Sequence, residues 1–588
     1  MQQRQRSSAS ASATAVGSRT LSTGRTTLPS IPVSKKYPTH IIFGANTDVG
    51  KTVVSTSLVK SNADHNQSVH YIKPLQCGGS DEAFVRKHLN DKRGEGVELE
   101  LELHTLFEWD TPASPHLASR LENKPMSDDM VLASLQSKIS DISSHAAAAG
   151  KMGSNIWIET AGGVLSPSAA SPENNRPRHA NQGAGSWGWS TQADLYKPMH
   201  LPAILVGDGR LGGISATLSA LESLIMRGYD VHGIVLIDEK GGEHGSNLSA
   251  LKEYASRVMA LRSGSGRALL RRDDSIISLP PLPPSDVPLD EWFESCQVKE
   301  ETARFDGFLR GAWNEHVDTL KGLREQGTGS LWWPFTQHQA HEEKKVGATV
   351  IDGAAGDYFS ILNDAEDGME RTAHFDACSS WWTQGLGHGE STLSLAAAAA
   401  AGKYGHIIFP DVVHEPAAAL ADRLLHSKSG PGRDWASRVF FTDDGSTAME
   451  VAIKMGMRKF CHDREANGGG DLNGVKLTVC AQQDCYHGDT LGVMDVAEPS
   501  VFNEGQHPWY EPKGLFLAYP TVRYVEGSIG ISPPSGCPAD AVTFNNIDDI
   551  LNVDERLSSN LYKHYCEKIE SEWDSYEQEA NRCVMLHR

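Results

Sequence analysis

Acidic residues are missing from the start of this chain: the first Asp or Glu is Asp48. Residues 1–36 carry Arg4, Arg6, Arg19, Arg25, Lys35 and Lys36 among many Ser, Ala and Thr. Basic, Ser-rich and acid-free is the pattern of an organelle transit segment, and the apolar stretch of a secretory signal is missing. A mitochondrial destination is the first expectation and a plastid the second; a disordered tail is the alternative. Long apolar runs are absent as well. Nothing approaches the run of about 18 residues that a membrane span requires, so no membrane association is expected. The nine cysteines never fall at C-x-x-C spacing. That argues against a zinc knuckle or a disulfide framework and fits a reducing compartment. Basic excess is lacking too: the formal net charge is −21, so a nucleic-acid-binding surface is not expected.

A chain of 588 residues is too long for one core, so two or more domains are expected. The most informative stretch is Gly44-Ala45-Asn46-Thr47-Asp48-Val49-Gly50-Lys51-Thr52. It follows the apolar run His40–Phe43 and precedes a helix expected over Val53–Lys60. Strand, glycine loop and helix in that order form a phosphate cradle, here in a relaxed form with Ala45 at the usual first glycine. Loop N–H groups and the helix N-terminus favour a polyphosphate. Lys51 would reach its outer phosphates and the Thr52 hydroxyl would sit on Mg²⁺. A glycine turn without a ligand is the plainer alternative.

Short apolar strands alternate with helical stretches through residue 238: 40–43, 68–72, 155–158, 203–206 and 233–237. The expected fold class is therefore α/β, a parallel sheet with helices on both faces. Ligands of such sheets gather at the carboxyl ends of the strands. After the second strand come Lys73, Cys77 and Asp81; after the third come Glu159, Thr160, Ala161, Gly162 and Gly163. A carboxylate there suits Mg²⁺, which prefers carboxylate and phosphate oxygen. For Glu159 and Asp81 the plainer alternative is a solvated loop carboxylate. Residues 164–200, with Trp187 and Trp189, read as an insertion whose end is ordered near the site. The proline-rich stretch 280–288 reads as a linker or a pocket wall, and 290–327 as helix.

These motifs, with Thr111-Pro112-Ala113-Ser114-Pro115-His116 and Leu205-Val206-Gly207-Asp208-Gly209-Arg210, resemble dethiobiotin synthetases in their order, over about 38–290. The resemblance implies that ATP, CO₂ or bicarbonate, and 7,8-diaminononanoate give dethiobiotin, ADP and phosphate through a carbamate. It implies Asp48, Val49, Gly50, Lys51, Thr52, Val53, Glu159 and Gly162 around ATP. It places Mg²⁺ on Thr52, Asp81 and Glu159, and Cys77 beside the substrate. Lys51 and Lys73 would stabilise charge on the transferred phosphoryl group. Asp48 stands where relatives often carry Glu, and Cys77 where a hydroxyl is common.

A second pattern starts near 331. It includes Trp381-Trp382, a strand–turn–helix at Phe440–Glu450 with Gly445 and Ser446, a strand Leu477–Ala481, and Tyr486-His487-Gly488. In this order they resemble diaminopelargonate aminotransferases, pyridoxal-phosphate enzymes that act on 8-amino-7-oxononanoate with S-adenosylmethionine. The resemblance puts the cofactor phosphate on Gly445 and Ser446, its ring on Tyr486, and substrate against Trp381 and Trp382. A Trp pair in the core is the plainer reading of the latter. The whole chain thus resembles the fused biotin-pathway proteins of plants and fungi; both component families are usually dimers, which implies a dimer through the first half. Such enzymes need a Schiff-base lysine. After His487 the lysines are Lys513, Lys563 and Lys568, and none has the family context.

The expected organisation is therefore a 1–36 leader, a synthetase-like domain at 37–290, a helical connector at 291–330 and a partial aminotransferase domain at 331–588. This last domain is a fold-type I α/β domain expected to be cut short, with an open sheet edge and exposed apolar faces. The alternatives are a bifunctional enzyme completed by a longer chain and a non-catalytic P-loop switch or scaffold.

Overall fold

The computed structural model describes residues 30–65, 67–89, 101–148, 154–170, 190–239, 247–258, 272–333, 348–366, 368–407, 411–469, 476–504, 507–525, 527–544, 546–580 and 582–585. Most of the 1–36 leader and much of the 164–200 segment lie outside these residues. Two compact units form, Met1–Ile407 and Ile408–Arg588.

The first unit runs in chain order through β1 (Ile31–Val33), β2 (Thr39–Gly44), α1 (Lys51–Asp64), β3 (Ser68–Cys77), α2 (Asp81–His88) and β4 (Leu101–Trp109). Next come α3 (Pro115–Leu121), α4 (Asp128–Ala148), β5 (Ser154–Gly163), α5 (Gln192–Tyr196), β6 (Ala203–Val206), α6 (Gly213–Met226) and β7 (Val231–Ile237). Then follow α7 (Asn247–Val258), β8 (Ile276–Leu279), α8 (Leu289–Glu294) and α9 (Cys296–Ser330), then β9 (Val350–Ala355), β10 (Tyr358–Ala365) and β11 (Gly368–Phe375).

Seven strands make one sheet in the order β4-β3-β5-β2-β6-β7-β8, parallel throughout. The core fills both faces. Ile41, Phe43, Ile72 and Ile158 pack with α4 residues Leu135 and Ile139 on one face. Ile42, Tyr71 and Trp157 pack with α1 residues Val54 and Leu58 and α9 residues Phe305 and Leu309 on the other. Alternate residues of each strand serve opposite faces, which is why these strands read as unbroken apolar runs. The chain leaves β2 in one direction to build β3–β5 and in the other to build β6–β8. The turns after β2, β3 and β5 therefore meet at the point where the strand order reverses, the ligand-binding crevice of such sheets.

Several elements depart from the sequence reading. β3 and β5 run five residues further than the apolar stretches 68–72 and 155–158, as far as Cys77 and Gly163. Lys73 and Glu159 thus lie within strands, where they neutralise each other across the sheet. β4 and β8 lie outside the expected strands. Phe440 and Phe441 form no strand, and both are exposed; no described strand pairs with them.

The end of the assigned leader belongs to the fold. β1 pairs antiparallel with β11, Ile31 opposite Arg371 and Val33 opposite Met369, in a four-stranded sheet ordered β1-β11-β10-β9. Ile31 and Val33 are buried, because alternation turns both to one face. α9 continues along the unit, and its residues Trp313, Val317 and Leu320 cover Val33, Val350, Leu362 and Met369. The sequence positions 290 and 330 thus both fall inside this unit.

In the second unit, β12 (Lys476–Gln482), β13 (Gly514–Leu517) and β17 (Arg582–Met585) form a parallel sheet. β14 (Thr521–Val525), β15 (Ser528–Ser532) and β16 (Val542–Phe544) form an antiparallel one. The main helices are Glu415–His426, Gly445–Ala466 and Asn560–Ala580. Trp435, Phe502, Trp509 and Tyr524 are among the large side chains it exposes.

Candidate active site

The loop between β2 and α1 is shaped by close approach. Gly50 takes φ +88°, and a Cβ there would stand 2.4 Å from Ile237 Cδ1. Asp48 also has positive φ, 57°. A Cβ on Gly44 would come within 3.0 Å of Lys51 Cδ and 2.8 Å of the Asn46 carbonyl oxygen. The lysine therefore folds back over the start of its own loop, the posture that brings an ammonium to a phosphate held there. Lys51 is the first residue of α1 and is buried. Burial pulls its pKa down to about 8, against the pull of Glu159, Asp81 and Asp48, while Lys73 adds to the drop. The neighbouring carboxylates do not compensate the cost of the charge, and a polyphosphate would.

Beside it lies a fully satisfied carboxylate. Glu159 is 0% exposed. Its Oε1 accepts from the Thr52 hydroxyl at 2.9 Å and from Lys73 Nζ at 2.8 Å, and its Oε2 accepts from the Tyr71 hydroxyl at 2.9 Å. Lys73 also reaches Asp81 Oδ2 at 2.6 Å and the Thr160 carbonyl at 3.3 Å. Burial disfavours both charges, but Lys73 and Lys51 outweigh it at Glu159 and hold that carboxyl low. Glu159 and Asp81 likewise outweigh it at Lys73 and raise its pKa. The pair is thus ionised. A solvated loop carboxylate does not describe Glu159.

The remaining sequence candidates fall around this cluster. Val49 is buried, and Val53 sits in the first turn of α1. Gly162 has φ +69°, and a Cβ there would lie 2.5 Å from Ser166 Oγ; that hydroxyl accepts from Gly163 N at 2.8 Å. Asp81 begins α2, which Ser80 caps by accepting from Ala83 N. Cys77 ends β3. Burial raises its thiol pKa to about 11, Lys73 opposing. It is therefore a neutral thiol, suited to packing or hydrogen bonding and not to nucleophilic attack. The ordered end of the 164–200 segment also arrives here: Gln192 Oε1 accepts from Ala161 N at 3.3 Å, and Nε2 donates to Pro167 O at 3.1 Å.

Tyr71 is the functional residue that the sequence reading left without a role. The signal was present: it stands two residues before Lys73 on one strand, hence on the same face. Arg210, held by Asp208 at 2.8 and 2.9 Å, also lies within electrostatic reach of Asp48.

The donor set suits Mg²⁺. Thr52, Glu159 and Asp81 supply a hydroxyl and two carboxylates linked through Lys73, and Mg²⁺ takes few protein ligands and completes its shell with water and phosphate.

The second unit brings its own candidates together. The helix Gly445–Ala466 begins at Asp444, whose side chain accepts from Thr447 N at 2.8 Å. Ser446 Oγ donates to Asp489 Oδ1 at 3.2 Å and accepts from Asp489 N at 3.3 Å. Gly488 has φ +132°, and a Cβ there would strike Ser446 Oγ at 2.5 Å. The helix start and the Tyr486–Gly488 turn are thus one corner, with Tyr486 66% exposed beside it. The fit to pyridoxal phosphate is incomplete. Asp444 already takes up N–H groups at that helix start. Of the later lysines, Lys513 is paired with Asp495 at 2.5 Å and Lys568 with Glu572. Lys563 is exposed on the helix Asn560–Ala580.

Trp381 and Trp382 lie in the first unit, 63% and 81% exposed. Residues Ser379 to Trp382 all have positive φ, 47–65°. This left-handed turn swings both indoles outward, so the core does not describe them.

Two family models match the chain: an AAA domain over residues 39–169 and a class-III aminotransferase over 349–529. A bifunctional dethiobiotin synthetase/adenosylmethionine-8-amino-7-oxononanoate aminotransferase of Emericella nidulans is 35% identical over 535 residues. That alignment covers 90% of this chain and 62% of the relative. A bifunctional dethiobiotin synthetase/7,8-diamino-pelargonic acid aminotransferase of Arabidopsis thaliana, named as mitochondrial, is 34% identical over 608 residues. It covers 93% of this chain and 67% of the relative. An adenosylmethionine-8-amino-7-oxononanoate aminotransferase of Synechococcus elongatus is 37% identical over 174 residues, 29% of this chain and 35% of that protein. The chain thus spans roughly two thirds of the length of the fused relatives.

Proposed function

The chain belongs to the family of bifunctional dethiobiotin synthetase/aminotransferases, and from that premise we propose that it converts 7,8-diaminononanoate, CO₂ and ATP into dethiobiotin, ADP and phosphate. The observation that carries this reading is the hydrogen-bonded cluster at the strand ends in which buried Lys51, Lys73 and Glu159 meet the half-buried Thr52 and Asp81. Asp48, Val49, Gly50, Lys51, Thr52 and Val53 wrap the triphosphate, and Gly162 keeps the turn after β5 tight beside it. Thr52, Asp81 and Glu159 hold Mg²⁺, which when bound neutralises charge building on the phosphate oxygens. Lys51 and Lys73 are two fixed cations aimed at the same region. One amine of the substrate carries the carbamate, whose oxygen takes the phosphoryl group. Phosphate then leaves as the second amine closes the ureido ring. Electrostatic stabilisation of the transferred group is what this cluster offers. Cys77 packs beside the substrate as a neutral thiol.

Residues 37–290 carry this reaction, 291–330 lead on from them while packing α9 against the same sheet, and 331–588 correspond to the aminotransferase half. In that half, Gly445, Ser446 and Tyr486 are the residues available to a pyridoxal phosphate, while a substrate role for Trp381 and Trp382 rests on the resemblance alone. Lys513 and Lys568 are engaged in ion pairs with Asp495 and Glu572, so the synthetase reaction is the one proposed for this chain and transamination of 8-amino-7-oxononanoate by S-adenosylmethionine stays an implication of the resemblance. The acid-free basic leader and the mitochondrial names of the plant relatives support a mitochondrial site of action. A homodimer is the assembly that the resemblance implies.

The test is dethiobiotin formation by the purified 588-residue chain supplied with the diamine, ATP, Mg²⁺ and bicarbonate. Dethiobiotin and ADP in equal amounts are expected. ATP binding without diamine-dependent turnover would overturn the reading in favour of a nucleotide switch.

A further inference from the structure

A second cluster of chemically capable side chains lies on the sheet face covered by α4, away from the phosphate loop. His70 is on β3, and Glu102 and His104 are on the edge strand β4. The parallel register sets His70 opposite Glu102 and Ile72 opposite His104. Residues two apart on a strand share a face, so all three side chains rise from one patch.

His70 is the anomaly. It is 1% exposed, yet neither ring nitrogen has a hydrogen-bond partner among the described residues. Buried polar atoms are rarely left this way without an unseen partner. His70 Nδ1 lies 3.7 Å from Glu102 Oε2, and His104 Nε2 lies 3.0 Å from the same oxygen. One donor atom from each residue falls within 4.8 Å of the other two. The imidazole planes are 10° from parallel with centroids 6.0 Å apart, so the rings stand side by side above Glu102. His104 Nε2, for all its closeness to Glu102, also makes no well-formed hydrogen bond among the described residues, so an imidazole–carboxylate contact alone leaves both rings unexplained.

We propose that His70, Glu102 and His104 bind one divalent transition-metal ion of the zinc class, with its remaining coordination open to solvent at the sheet edge. Two imidazoles and a carboxylate are a donor set that zinc accepts. Metal–ligand bonds of about 2.0–2.2 Å at tetrahedral angles put neighbouring donors about 3.3–3.6 Å apart, and the separations above bracket that range. Burial lowers the pKa of both imidazoles, that of His70 to about 4, so each offers a lone pair at neutral pH. Glu102, with its side chain 44% exposed, marks the entry side. Lys138 on α4 and Glu82 on α2 act on the cluster with opposite signs. The ion would clip the edge strand β4 to β3. The site is independent of the ATP chemistry proposed above.

The full-length chain, stripped with chelator, is dialysed against Zn²⁺ alone, beside Glu102→Gln and His104→Ala. The wild type is expected to hold one equivalent more than either variant, with at least tenfold weaker binding in each. Zn²⁺ should raise its Tm and leave theirs unmoved. Thiol-bound zinc is common to all three and cancels. Should His104→Ala fail to fold, the near-isosteric Glu102→Gln still decides. Equal stoichiometry and affinity in the wild type and Glu102→Gln would overturn the proposal, as would a Tm response that Glu102→Gln keeps.

Discussion

Lys73 Nζ stands 2.8 Å from Glu159 Oε1 with both side chains buried between adjacent strands. Neither charge would be tolerated there alone, and Thr52, Tyr71 and Asp81 complete the pair's hydrogen bonds. Removing the charge of Glu159 leaves Lys73 with Asp81 alone. Glu159→Gln is expected to cost about 3 kcal/mol of stability, the lower end for a broken buried pair, and to abolish dethiobiotin formation. Tyr71→Phe, which removes one donor to Glu159 Oε2, should cost about 1–2 kcal/mol. Urea denaturation measures both. Because the Glu159 carboxyl is held low, its contribution is present at neutral pH. It is lost as pH falls from its unfolded value of about 4.3 through the folded one.

Lys51 should make ATP affinity depend on pH. In the nucleotide-free protein its pKa is pulled down to about 8, and a bound triphosphate favours the charged form. Affinity is therefore full below pH 8 and falls above it, by up to tenfold per unit until the pKa of the bound state is reached. Titration calorimetry from pH 6.5 to 9.5 checks this. Lys51→Arg, which stays charged throughout, should flatten the profile; a flat wild-type profile contradicts it.

The Cys77 thiol should be slow to alkylate. With its pKa at about 11, its thiolate fraction at pH 8 is on the order of 100-fold below that of an ordinary thiol. Peptide mapping after timed iodoacetamide treatment reports the rate. Cys77→Ser should retain turnover within a few-fold, since no covalent role is assigned to the sulfur. Loss of all activity would restore one.

The aminotransferase half should contribute no product. Supplied with 8-amino-7-oxononanoate, S-adenosylmethionine, pyridoxal phosphate, ATP and bicarbonate, the chain is expected to make no dethiobiotin, while the diamine is converted. Borohydride reduction in the presence of pyridoxal phosphate should label none of Lys513, Lys563 and Lys568 above the surface-lysine background. A stoichiometric label on one of them would locate a Schiff base.

Much of the site was legible because its residues are punctuation between apolar runs. Gly50-Lys51-Thr52 interrupts a strand and a helix, and Glu159 follows four strand-forming residues. The faults arose where polar and apolar residues alternate. β4 carries Glu102, His104 and Glu108 among its apolar residues, so no continuous run announces it, as befits an edge strand exposed on one side. β3 passes through Lys73 and Pro74, and a lysine beside a proline reads as a strand's end unless a carboxylate on the next strand is known to face it. Ile31 and Val33 looked like the end of a basic leader because their partner, β11, lies far along the chain.

That distant partner sets a timetable. β1 cannot be completed until β11 has left the ribosome, about 340 residues later, on the order of 20–70 s at 5–20 residues per second. Throughout that interval Ile31 and Val33 are apolar side chains with no strand to lie against. Among the described strands, the first unit therefore closes by joining the earliest-made to the last-made.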